Sequence, residues 1–149
     1  MRRPLFTFVA LLATLLLPSG VALAQAETET IHETFDEVIT EVGCTEVVPI
    51  HITGKAIVHI TDTGSSFHIT GTQTGRFEFT EGGETFTGRF TGWFGFNGNT
   101  SSANGTDTFS ATGRGDEGTK ARFIAVAHFT VNANGELTVE FEKVGGDCS

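Results

Sequence analysis

Three histidines, His51, His59 and His68, fall in one strand-like run, HITGKAIVHITDTGSSFHIT. A hairpin centred on Thr63-Gly64 sets His59 opposite His68 on the outer side of the sheet, with His51 further along the same side. Paired imidazoles on adjacent strands can hold a divalent cation, but two ligands leave the site incomplete. The nearest carboxylate, Asp62, belongs to the turn. The expectation is a solvated Thr/His strand surface with no metal. His128, between Val126 and Thr130, also points outward and receives no role. Gly113-Arg114-Gly115-Asp116-Glu117-Gly118 spells G-x-G-x-x-G. A dinucleotide site needs a helix after that motif, with its N-terminus on the pyrophosphate. The next residues, TKARFIAVAHFTV, alternate like a strand, so the motif reads as a Gly-rich turn and implies no cofactor.

Nucleophilic catalysis finds no footing. There is no G-x-S-x-G, and no cysteine stands free beside a histidine. The carboxylates scatter over turns and outer faces, so no inward acid–base pair and no catalytic residue is assigned. The two cysteines, Cys44 and Cys148, are expected to pair, closing a loop of 104 residues. That bond would tie the C-terminus to the first strands.

These residues sit on strands. Thr, Gly, Val, Ile and Phe dominate, and apolar residues recur with period two. The segments read as 30–42, 47–61, 66–80, 85–97, 107–114, 120–131 and 136–144. Turn residues separate them at Asp62–Ser65, Glu81–Glu84 and Ala133–Gly135, and a longer polar loop is expected from Asn97 to Thr106. With the second hairpin centred on Gly82-Gly83, parity carries one apolar face across the strands. It holds Ile52, Val58, Phe67, Phe77, Phe79, Phe86, Phe90, Phe94 and Phe96, with Leu137, Val139 and Phe141 at its end. Thr, His, Arg and Lys fill the other face.

Sequential antiparallel strands with one greasy face fold as an up-and-down β-barrel or as a β-sandwich. Hairpin connections favour the all-β, antiparallel barrel of seven to eight strands. In residues 74–96, TGRFEFTEGGETFTGRFTGWFGF, inward glycines alternate with inward phenylalanines. The glycines either offset the bulk of Phe or leave an apolar hollow. Gln73 is the one inward polar side chain where the register is clear. Contacts to a small hydrophobic ligand would come from Phe67, Gln73, Phe77, Phe79, Phe90 and Phe94. Trp93 falls on the outer parity, and with Phe94 and Phe96 could make a contact patch for sugar or protein unless a bulge turns it inward.

The chain opens MRRPLFTFVALLATLLLPSGVALAQ. A basic start, a short apolar run and Ala22-Leu23-Ala24 mark residues 1–24 as a secretory signal peptide, with residues 25–149 as one β domain. After cleavage the chain carries seven Lys/Arg against eighteen Asp/Glu, a net charge of −11, and no membrane span. An acidic chain with no basic patch evident in sequence is a poor partner for nucleic acid or anionic membrane. A secreted, extracellular protein is expected.

At Cys44-Thr45-Glu46, at GKAIVHITDTGSSFHITGTQTG and at HFTVNANGELTVEFEKVGGDCS the chain resembles a group of small exported bacterial proteins. The group is similar in outline to calycin-type and allene-oxide-cyclase-like barrels. The resemblance implies an exported barrel and carries no catalytic residue. Three functions stand as expectations: a non-enzymatic barrel binding a small hydrophobic molecule, a cyclase or isomerase that confines an apolar substrate near Gln73, and a structural or adhesive surface protein using the Thr-rich outer face.

Overall fold

The computed structural model describes residues 26–134 and 136–149. The expected signal peptide, with its expected cleavage after Ala24, and Gly135 lie outside the described residues, as do the side chains of Val139 and Phe141. Seven strands follow in order: β1 (Glu27–Val42), β2 (Val47–Asp62), β3 (Ser66–Glu81), β4 (Glu84–Asn99), β5 (Ala103–Gly115), β6 (Lys120–Val131) and β7 (Leu137–Cys148). They form one antiparallel up-and-down sheet in sequence order. The expected alternation of faces holds across it. Ile52, Phe77 and Gly88 share one row, and Gln73, Gly92, Phe109 and Ala125 share another.

The sheet is curled. Phe35 on β1 stacks on Phe90 of β4 with ring centroids 6.1 Å apart, and Phe77 on β3 meets Phe123 of β6 at 6.4 Å. In a flat sheet those strands would stand about 14 Å apart. The curl does not close. Among the described residues β7 does not pair with β1, so the expected barrel ladder is absent, and there is no second sheet to make a sandwich. A physical reason lies in the edges. Glu29, Glu33 and Glu37 on β1 and Glu142 on β7 fall on the inward parity. Inward-pointing charges on edge strands oppose edge pairing. The cystine joins the edges instead: Cys44, just after β1, bonds Cys148 at the end of β7, with Cα atoms 5.5 Å apart.

The turns differ at the two ends of the sheet. At the end away from the cystine each hairpin is closed locally by an Asx side chain. Asp62 accepts from Gly64 N at 2.7 Å, Asn99 from Ser101 N at 2.8 Å and Asn132 from Asn134 N at 2.9 Å. The first of these corrects the expected register. Its centre is Gly64-Ser65, because Gly64 takes φ +77° and Thr63 has no easy access to that region. His59 therefore pairs with Thr70, and His68 with Thr61. The second turn keeps its expected centre, with Gly82 and Gly83 both at positive φ. The expected loop 97–106 shrinks to Thr100–Ser102, since Asn97 pairs with Asn104 and Gly98 with Ala103.

At the cystine end, carboxylates stitch three loops together. Glu81 accepts from the backbone of Cys44 (2.6 Å), Thr45 (2.7 Å) and Glu46 (3.0 Å), and from the Thr45 hydroxyl at 2.6 Å. Glu84 accepts from Glu117 N and Thr119 N, and Asp116 accepts from Thr85 N. Gly43 makes room for the first of these: a Cβ there would come within 2.3 Å of the Glu81 carboxylate. Slight desolvation pushes Glu81 up, but its four donors outweigh it, and its pKa lies below the ordinary value. A glutamate with a lowered folded pKa stabilises above its unfolded pKa and loses that contribution as pH falls through the folded one. Glu81→Gln is expected to cost about 1–2 kcal/mol at pH 7, discounted for its partial exposure. The difference from the parent should shrink below about pH 4, and thermal melts across pH 3–7 measure it.

Candidate functional site

The inner face is packed most tightly at the cystine end, with Val58 also buried further along it. Val48, Ile52, Phe77, Phe79, Phe86 and Phe90 are buried near the cystine, joined by Ala111 and Ala121, with Phe35, Phe109 and Phe123 packed against them. The glycines among them are occupied space. A Cβ on Gly88 or Gly113 would strike the Phe77 ring, and one on Gly75 the Phe90 ring. Each ring reaches over a glycine of another strand, so at this end the Gly/Phe alternation builds a filled core.

The other half is the more open one, although rings cover its glycines too: a Cβ on Gly71 would strike Phe94 and one on Gly105 Phe96 and Phe129. Phe94, Phe96 and Phe129 line it with centroid spacings of 5.5 and 5.3 Å, all half-buried, and Phe67 at the rim is 38% exposed. The six expected ligand contacts thus separate. Phe77, Phe79 and Phe90 belong to the packed core, while Phe67 and Phe94 line the open half. Gln73 lies between the two halves, its side chain over Gly92. Among the described residues its amide makes no hydrogen bond, and it is half-buried.

Asp107 is the residue that sequence reasoning missed. It pairs with Phe94 on one side and Ala127 on the other, and so stands on the inner face one row above Gln73. Burial raises its pKa, with a backbone hydrogen bond at Thr108 acting against that. The signal is its parity with Phe109 inside the expected strand 107–114, which the reading of the carboxylates as confined to turns and outer faces passes over. At neutral pH the folded protein carries the cost of ionising Asp107 against a raised pKa. That cost is absent below the unfolded pKa, builds as pH rises toward the folded one, and is full above it. Asp107→Asn is therefore expected to raise Tm at pH 7, with the gain vanishing below about pH 4; melting the pair across pH checks it.

The remaining candidates resolve as surface. Trp93 is outward and 42% exposed, lying over Gly95, whereas Phe94 and Phe96 face inward, so the three do not form one patch. Four of the outward histidines bond a neighbour across the ladder: His59 to Thr30 at 2.9 Å, His51 to Asp36 at 2.7 Å, His68 to Asn97 and His128 to Thr106 at 2.8 Å, while His32 on β1 is exposed. His59 and His68 do not oppose each other, and no group of three or more potential metal ligands occurs among the described residues. Gly113 and Gly115 end β5, Gly118 turns at φ +102°, and β6 follows directly, so the G-x-G-x-x-G run precedes a strand. The site thus belongs to an all-β, cystine-linked, single-sheet protein. No family model, curated protein or solved structure matches the chain.

Proposed function

We propose that the protein is an exported carrier of a small hydrophobic molecule, held on the open half of the inner face. The observation that carries this reading is the contrast along that face. The cystine end is buried and filled, while the far end presents half-buried phenylalanines beside Gln73 and Asp107. An apolar wall with a few convergent polar groups is the usual make-up of a small-molecule site. The ligand would have an apolar body against Phe94, Phe96 and Phe129 and a polar head reaching Gln73 or Asp107. Closure of β7 toward β1 around it, completing a barrel, belongs to this proposal. The signal-like N-terminus, the cystine and the resemblance to exported barrels support it.

The test uses oxidised mature protein and neutral probes: Nile red, retinol and a long-chain alcohol. A one-to-one complex by native mass spectrometry, with blue-shifted Nile red emission displaced by the other two, is expected. Failure of all three to bind overturns the reading.

A second reading, an isomerase or cyclase confining an apolar substrate, draws on one observation. Gln73 keeps its hydrogen-bonding capacity, and Asp107, with its raised pKa, supplies an inward acid. Turnover of a bound apolar polyene, lost in Asp107→Asn with binding retained, would separate it from simple carriage.

A further inference from the structure

The outer face carries a second feature, independent of the inner one. Of the seven Lys/Arg after the leader, six collect in three adjacent rows of the ladder. One row runs Asp36, Thr53, Arg76, Arg89, Thr112, Arg122, Asp147, three arginines between a carboxylate at each end. The row nearer the cystine holds Arg114 and Lys120 together with Glu78, and the row on the other side holds Lys55, so six bases face three carboxylates. On a chain whose net charge is −9, and −11 without residues 1–24, this is a local reversal of sign that the linear sequence hides, because the six bases span residues 55–122.

At its centre Arg76 and Arg89 are direct cross-strand partners. Like charges in that position destabilise a sheet. Neither is neutralised: among the described residues the one ion pair is His51 with Asp36, and neither arginine makes a side-chain hydrogen bond. Both line two shallow, open depressions that adjoin at the arginines on the outer surface. The depressions follow from the backbone. Gly54 pairs with Gly75, and Gly88 with Gly113, and a Cβ on any of the four would come within 2.5 Å of a carbonyl oxygen on the adjacent strand. Paired glycines let the strands bend inward there, leaving a saddle outside. Thr53, Thr74, Thr87 and Thr91 supply hydroxyls around it, and Lys55 adds a third positive charge. Glu78 is the one carboxylate in the lining, so the positive charge is in excess.

We infer that this saddle binds an oxyanion group, a carboxylate, sulfate or phosphate, held between the guanidinium forks of Arg76 and Arg89. Two planar forks side by side match the geometry of such a group, and its charge removes their repulsion. The threonine hydroxyls suit a polar, hydroxyl-rich carrier of the anion. The overall negative charge disfavours a long polyanion, which leaves nucleic acid and anionic bilayers as poor ligands.

The experiment is an NMR titration of isotopically labelled, oxidised mature protein. One arm uses inorganic sulfate, a second glucose 6-sulfate, and a third sodium chloride at matched ionic strength. Saturating shifts at Arg76, Arg89 and the flanking threonines are expected in the first two arms and not in the third. Binding at least tenfold tighter for glucose 6-sulfate would identify a sugar-borne anion, and equal binding a free one. Arg76→Ala and Arg89→Ala should each weaken binding about tenfold, Arg76→Lys by less, and Lys143→Ala not at all. Tm gives a second readout. Sulfate should raise it more than chloride in the parent, and Arg76→Ala should have the higher Tm at low salt without the sulfate response. Shifts that follow ionic strength alone, or an Arg76→Ala, Arg89→Ala double variant that binds like the parent, would overturn the site.

Discussion

Mature protein carrying Cys44→Ser together with Cys148→Ser is expected to lose roughly 2–5 kcal/mol of stability. The bond spans 104 residues, for which loop-closure entropy alone gives about 4–5 kcal/mol. Domains of this size are stable by about 5–15 kcal/mol, so the melting temperature should fall by roughly 6–25 °C. The open ladder sharpens the expectation. No β1–β7 hydrogen bonds are present among the described residues to hold the sheet edges together, so the cystine is their direct covalent link. It also sits on the loop that Glu81 clamps, so reduction loosens that loop as well. The open half of the inner face lies at the other end of the strands. Neutral apolar probes should therefore bind the folded double variant with affinity close to the parent's. Scanning calorimetry of the two proteins, with and without reductant, reads the first effect and Nile red titration the second. An equal Tm for the variant and the oxidised parent would show that the bond contributes nothing.

Strand order and face parity were legible because both rest on local signals: alternation along the chain and Gly82-Gly83 at a tight turn. Parity survived even where the register did not. Moving the first turn from Thr63-Gly64 to Gly64-Ser65 shifts the pairing by two residues and returns every side chain to its original face. The histidine pairing depended on the register itself, and it failed. The stretch Asn97–Thr106 was read as a loop from its Asn, Gly and Ser, whereas cross-strand pairing with β4 and β6 makes most of it strand. The carboxylate stitching of the cystine end was out of reach for another reason. Glu81 and Cys44 lie 37 residues apart, and nothing local to either announces the contact. The inward glutamates of β1 were equally hidden, since β1 takes its parity from its pairing with β2, and with it went the reason the curl stays open.

Phe79→Ala and Phe94→Ala should divide stability from binding, although both remove an inward phenylalanine. Phe79 is 3% exposed and stacks on Phe86 at 4.9 Å, on Phe77 at 6.0 Å and edge-on to Phe123 at 6.2 Å. Truncating a buried phenylalanine costs about 3–5 kcal/mol through lost transfer energy and the cavity left behind. Phe94 is half-buried, with its ring over Gly71 and tilted against Phe96. Less of its surface leaves water on folding, so its removal should cost about 1–2 kcal/mol. Ligand binding should order them in reverse. Phe94→Ala removes part of the open aromatic wall and should weaken Nile red binding about tenfold, whereas Phe79→Ala should leave the affinity of the folded fraction near the parent's. Urea melts give the first ranking, and titrations well below each midpoint give the second. If Phe79→Ala weakened the dye more than Phe94→Ala while still folded, the ligand would have to lie at the cystine end. The division of the inner face into a filled half and a receiving half would then be wrong.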